Sequence, residues 1–192
     1  MKKILMLGLC AILTLSSMIA YATENNQKDS SISATAVIII KGEENIKAYE
    51  EAGIIRTRPH LRCISPELEG NQLSNNDFSI QGTSIPTDIW DLNQKSRDFT
   101  YSFRSYIYSN YKYKPCPDSI SSTGYAIYHM FEPDADQEMK VTTYDSDGSY
   151  VTSTNLILDD KTAYGLAVKN EPHYFKYTSI KGTTISGTGT VY

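Results

Sequence analysis

The chain is predicted to be all-β: an antiparallel β-sandwich, jelly-roll-like, with a short N-terminal strand–helix appendage. Three observations point there. From Asp88 onward, short runs rich in Tyr, Val, Ile, Thr and Phe alternate with turn signals, the pattern of strands that bury one face. Seven such runs follow one another: DFTYSFRSYIY, GYAIYHMF, EMKVTTY, SYVTST, TAYGLAV, HYFKYTSI and TTISGTGTVY. This spacing suits two packed sheets. Between two of them, DSDGS (145–149) puts Asp147-Gly148 where a two-residue hairpin turn is expected.

Residues 1–22 read as a signal peptide. Lys2 and Lys3 precede an apolar run from Ile4 to Ile19, and Ala20-Tyr21-Ala22 is a small-x-small cleavage site. The run is short for a bilayer span. Leu9 stands before Cys10, where a lipoprotein signal needs a small residue. Residues 23–35 are polar and small, a flexible leader. Residues 36–86 are expected to form a strand–helix–strand and loop region packed on the sandwich. AVIIIKG (36–42) is a β-branched run that reads as a buried strand, and EENIKAYEEAG (43–53) has acids in its first turn, Ile46 and Tyr49 three apart, and a glycine stop. Residues 65–86 are loop-like, with one short strand near Phe78. Residues 87–192 form the sandwich. Trp90 is expected to plug the core from a connecting segment.

Charge and cysteines narrow the setting. The net charge is −4, and loss of Lys2 and Lys3 with the signal takes it to −6. An acidic surface argues against nucleic acid, whose affinity comes largely from phosphate neutralisation. No later segment is apolar enough for membrane insertion after signal cleavage, so the product is expected to be secreted or envelope-associated. Two cysteines remain, Cys63 and Cys116. An even count in an exported chain suggests a disulfide, worth about 4 kcal/mol for a loop of this length, against the alternative of two buried thiols.

Three stretches, IPTDIWDLNQKSRDFTYSF, VTTYDSDGSYVTST and PHYFKYTSIKGTTISGTGTVY, resemble those of small exported β-sandwich proteins of Gram-positive bacteria. The middle portion is similar to the pre-peptidase C-terminal type of sandwich, in which a Y-D-x-D-G hairpin also precedes a Y-x-F/V strand. The likeness covers roughly the last 105 residues. It implies the fold and an exported setting, and some such modules support binding or secretion. It carries over no functional residue.

Candidate site residues come from two odd stretches. In YSFRSYIYSNYKYK (101–114) alternation puts Tyr101, Phe103, Ser105, Ile107, Ser109, Tyr111 and Tyr113 on a core side and Ser102, Arg104, Tyr106, Tyr108, Asn110, Lys112 and Lys114 on the other, with a break near Ser109-Asn110. Tyr suits a half-buried strand. It also suits ligand binding, because phenol faces stack on sugar rings while Arg supplies directional hydrogen bonds. A protein partner would use the same residue types. In RTRPHLR, an extended chain puts Arg56, Arg58 and Arg62 on one side with His60. The stripe suits an anionic polymer, or an edge strand kept from sticking by its charge.

Other chemistry is weakly signalled. Asp134, Asp136 and Glu138, or Asp145 and Asp147, offer oxygen ligands for Ca²⁺, but neither set completes a known loop, so polar turns are the default and no metal or other cofactor is assigned. His60, His129 and His173 are far apart in sequence, and no nucleophile elbow, zinc helix or phosphate loop is present. The expectation is a non-catalytic exported module that binds a glycan or a protein at or outside the envelope. The alternatives are a hydrolase of an extracellular polymer, and an inhibitor or subunit of a surface assembly.

Overall fold

A computed structural model describes residues 36–55, 79–80 and 82–192. The expected signal and leader, and Arg56, Arg58, His60, Arg62 and Cys63, lie outside the described residues. Strand β1 (Val37–Lys41) leads into helix α1 (Glu43–Glu51). Then follow β2 (Ser79–Ile80), β3 (Ile89–Asp91), β4 (Arg97–Phe103), β5 (Tyr106–Tyr108), β6 (Lys112–Lys114) and β7 (Cys116–Pro117). The long strands are β8 (Tyr125–Pro133), β9 (Gln137–Asp145), β10 (Tyr150–Leu158), β11 (Thr162–Ala167), β12 (His173–Ser179) and β13 (Ile185–Val191).

Sheet A runs β1-β11-β8-β13-β4-β2, with β7 also paired to β8. Sheet B runs β10-β9-β12-β6-β3, with β5 also on β12. Only the short strands β2 and β3 pair in parallel. Among the eight strands ordered β4-β13-β8-β11 in sheet A and β5-β12-β9-β10 in sheet B, the chain changes sheet from each to the next except at the β9–β10 hairpin, which is jelly-roll wiring. The strand expected in an appendage is an edge strand of sheet A, paired to β11 from Val37↔Leu166 to Lys41↔Thr162. Its run of isoleucines is not wholly covered by the described residues: Ile40 is buried, while Ile39 is 43% exposed.

The core lies between the sheets and follows the alternation of each strand. Phe99, Tyr101, Phe103, Ile127, Phe131, Tyr164 and Leu166 of sheet A meet Met139, Val141, Leu156, Leu158, Phe175 and Tyr177 of sheet B. Each such side chain contributes about 1.5–3 kcal/mol on burial. Two glycines let aromatic rings lie against the backbone of β13. A Cβ at Gly189 would stand 2.5 Å from the Phe99 ring, and one at Gly187 would stand 2.6 Å from Tyr101 Oη. A third layer covers the far side of sheet A, where Ile46 of α1 packs with Ile40, Tyr128, Met130, Ala163 and Tyr192.

The DSDGS turn differs from its expected form. Asp145 N donates to Ser149 O and Gly148 N donates to Asp145 O, both at 3.1 Å, which closes a three-residue loop with Gly148 at φ 96°. A single positive-φ position after a tight turn is what that loop requires, whereas the two-residue form needs two. Trp90 lies in β3 at the sheet edge and is half-buried. Its indole N–H donates to Lys95 O at 2.7 Å, and the Arg97 guanidinium lies 4.7 Å from its ring centroid.

Candidate functional site

The aromatic stretch 101–114 does not make one strand. It bends at Arg104–Ser105 and again after Tyr108, so that β4 lies in sheet A while β5 and β6 lie in sheet B. Alternation holds on either side of the bend, while Ser105, expected on the core side, is exposed at the bend and Tyr111 is half-buried. Tyr101, Phe103, Ile107 and Tyr113 are buried, and Arg104 and Tyr106 are exposed. The partner chain bends with it. Ile185 of β13 pairs with Phe103 in sheet A, and Thr178 of β12 pairs with Tyr106 in sheet B. Between these pairs Ser179 N donates to Ser105 O at 2.9 Å, and Arg104 Nε donates to Gly182 O at 3.0 Å. A two-stranded ribbon thus folds over the corner from one sheet to the other. Gly182, at φ 66°, supplies the turn.

An open groove of about 690 Å³ lies along this corner. Arg104, Tyr106, Thr178, Ile180 and Lys181 are among its lining residues. Tyr106 and Ile180 are 37% and 42% exposed. Pairs such as Phe103–Ile185 hold the backbone on either side of the bend, so the groove rests on rigid strands.

The groove continues onto the outer face of sheet B, where strand register lines side chains into cross-strand rows. Asn155, Lys140, Thr178 and Tyr106 form one row. Ser153, Thr142, Lys176 and Tyr108 form the next. Tyr150, Tyr144 and Tyr174 form a third. The five tyrosines make a continuous chain: ring centroids step from Tyr106 to Tyr108 by 5.8 Å, on to Tyr174 by 6.1 Å, to Tyr144 by 5.1 Å and to Tyr150 by 6.4 Å. Tyr144 and Tyr174 stack at 14° and so use a face on each other. Tyr174 is buried. Burial, followed by the neighbouring Tyr108 and Tyr144 phenols, raises its pKa above the usual phenol value. The exposed rings are at the ends, Tyr106 beside the groove and Tyr150 at 63% exposure. Lys176 Nζ lies 4.2 Å from the Tyr106 centroid and 5.8 Å from that of Tyr108, a cation–π contact that ties both rings to β12.

No family model, curated protein or solved structure matches this chain.

The remaining candidates fall elsewhere. Asp134 and Asp136 line a cleft of about 630 Å³ with Glu43, Glu132, Asp159 and Asp160. Lysines offset part of that charge: Lys161 pairs with Glu132 and Lys41 with Asp159, both at 2.8 Å. Glu138 points to other company, Lys181 at 2.9 Å. Asp145 and Asp147 both accept from Ser149 N, at 2.9 and 2.8 Å, and so serve the hairpin turn. Asp145 is raised by burial and by Asp147, which in turn is lowered to about 2 by hydrogen bonds from Asp145 and Ser149. Among the described residues no three His, Cys, Asp or Glu side chains form a group that could hold a metal.

His129 is sealed between the sheets. Its Nε2 shares a 3.0 Å hydrogen bond with Tyr177 Oη, and its ring meets Phe175 edge-on at 4.4 Å. Burial lowers its pKa to about 3, so the ring is neutral. Cys116 is buried beside β8, and its proposed partner Cys63 is outside the described residues.

Arg104, Tyr106 and Tyr108 are therefore brought together. Lys140, Tyr144, Tyr150, Tyr174, Lys176 and Ile180 complete the surface and were not anticipated. A signal existed in the sequence: Tyr144 and Tyr150 flank the DSDGS turn and must meet across it. Tyr174 and Lys176 join only through pairing with β9 and β5, which the sequence does not reveal.

Proposed function

We propose that this protein is an exported, non-catalytic binding module that holds a glycan chain on the outer face of sheet B, anchored in the groove at Arg104 and Tyr106. The convergence of these two residues with Thr178 and Ile180 in one open groove carries the reading. A sugar presents apolar ring faces and a rim of hydroxyls. The surface offers exposed aromatic and aliphatic area at Tyr106 and Ile180, with hydrogen-bonding groups in rows at Asn155, Thr178 and Ser153. The groove's volume is within the range of small-ligand sites, and the flat rows beyond it suit a chain longer than one sugar. Export rests on the N-terminal pattern of Lys2, Lys3 and Ala20-Tyr21-Ala22. No described helix is long and apolar enough to cross a membrane.

A glycan array probed with the mature protein tests the proposal. Binding should fall at least tenfold in Tyr106→Ala and in Arg104→Ala. Retention by a protein from envelope fractions, with no glycan bound above background, would transfer the surface to a protein partner and overturn the glycan reading.

The hydrolase alternative would draw on the acidic cleft around Glu132 and Asp134. Release of reducing ends from an extracellular polysaccharide, abolished by Asp134→Asn, is the outcome that would establish it.

A further inference from the structure

Building on that reading, we infer that the ligand is an acidic polysaccharide whose carboxylates are carried on its sugar rings, and that Arg104, Lys140 and Lys176 select it. The protein is acidic overall, with a net charge of −4. Its groove end is not. Arg104, Lys140, Lys176 and Lys181 gather there, and among the described residues only Lys181 is ion-paired, with Glu138. Among the described residues no carboxylate lies within ion-pairing distance of Arg104, Lys140 or Lys176. Unpaired cations concentrated on one face of an acidic protein mark charge complementarity to an anion.

The geometry narrows the anion. Thr178 pairs with Tyr106 on one side and Lys140 on the other. Lys140 and Tyr106 are therefore about 10 Å apart at their backbones, two strand spacings. Lys176 lies beside Tyr106 and Tyr108 in the adjoining row. Arg104 spends its Nε hydrogen on Gly182 O, which leaves the terminal nitrogens for bidentate contact with a carboxylate. Charge thus alternates with exposed ring and aliphatic surface at Tyr106 and Ile180. A polymer with an apolar ring face and a carboxylate in the same repeat matches both. A glycerol–phosphate chain brings the charge without the ring, and a neutral glycan brings the ring without the charge. At the far end of the same face the hairpin carboxylates Asp145 and Asp147 oppose an anion, so the charged units belong at the groove end.

The test titrates mature protein with polygalacturonate, with the same polymer methyl-esterified, and with poly(glycerol phosphate). Polygalacturonate should bind at least tenfold tighter than either comparison, and its affinity should fall severalfold as salt is raised, through screening. Lys140→Glu should cost at least tenfold, and Lys140→Arg should restore binding. Lys47→Glu makes the same change of net charge on the exposed helix over sheet A and should leave binding unchanged. Circular dichroism of each variant separates lost binding from lost fold. Equal, salt-insensitive binding of the free and esterified polymers would overturn the charge inference while leaving the glycan reading in place. Equal binding of poly(glycerol phosphate) would overturn the ring requirement. Binding of none of the three polymers, with neutral glycans retained on the array, would overturn the inference alone. No glycan bound in either assay would remove both.

Discussion

On the outer side of sheet A, Ile46 of α1 is 3% exposed against Tyr128, Met130 and Tyr192. On the outer side of sheet B, Tyr106 and Ile180 are 37% and 42% exposed, and no described helix or strand packs over them. Both sheets bury their inner faces in the same core, so the contrast is not about making the sandwich stable. It shows what each outer face is composed to meet. Sheet A offers Ile40, Ala126, Met130 and Ala163, an apolar surface that water would penalise, and a helix covers it. Sheet B offers Ser153, Lys176, Asn155, Lys140 and Thr178, a surface that water tolerates.

The contrast can be broken, starting with its largest expected effect. Ile46→Ala should destabilise the protein by about 2–5 kcal/mol, the usual cost of emptying a packed aliphatic site. A shift in the urea midpoint at unchanged slope would measure it. A loss under 0.5 kcal/mol would mean that the helix is not a true third layer.

The buried interior gives a second, pH-dependent effect. An unfolded histidine titrates near 6.5, whereas burial holds folded His129 at about 3 and lowers His173 as well. Below pH 6.5 the unfolded chain therefore binds protons that the folded chain refuses. Stability is complete above that value and is lost as pH falls toward 3. His129 alone should remove about 2 kcal/mol between pH 7.5 and pH 5. Urea titrations at both pH values should show the drop, with a shallower one in His129→Gln. The lowered carboxyls of Asp91, Asp147 and Asp159 act only below about pH 4, outside this window.

The smallest effect belongs to the open face. Tyr106→Ala should change stability by no more than about 1 kcal/mol, since it removes a half-exposed ring and one cation–π contact. Differential scanning calorimetry would show it. A loss as large as that of Ile46→Ala would make Tyr106 a structural residue and collapse the distinction between the two faces.

Much of the fold was legible from alternation. HYFKYTSI and EMKVTTY each declare one buried side, and the structure buries Phe175 and Tyr177, and Met139 and Val141, accordingly. The helix was legible from Glu43, Ile46 and Gly53. The change of sheet at Arg104–Ser105 was not, because a lone serine without Gly, Pro or Asn beside it is a weak turn signal, and the bend shows in the pairing with β12 and β13. The site was half legible for the same reason. Arg104, Tyr106 and Tyr108 are neighbours in sequence, while Lys140, Tyr174 and Lys176 arrive from strands more than 30 residues away through register alone. The short strands β3 and β6 carry too few residues to show any period.

The folded ribbon at the corner has a mechanical consequence. A force applied at Arg104 and Tyr106 would enter β4 and β13 on one side and β5 and β12 on the other, so both sheets would share the load. Detaching the corner would require parting two hydrogen-bonded ladders together.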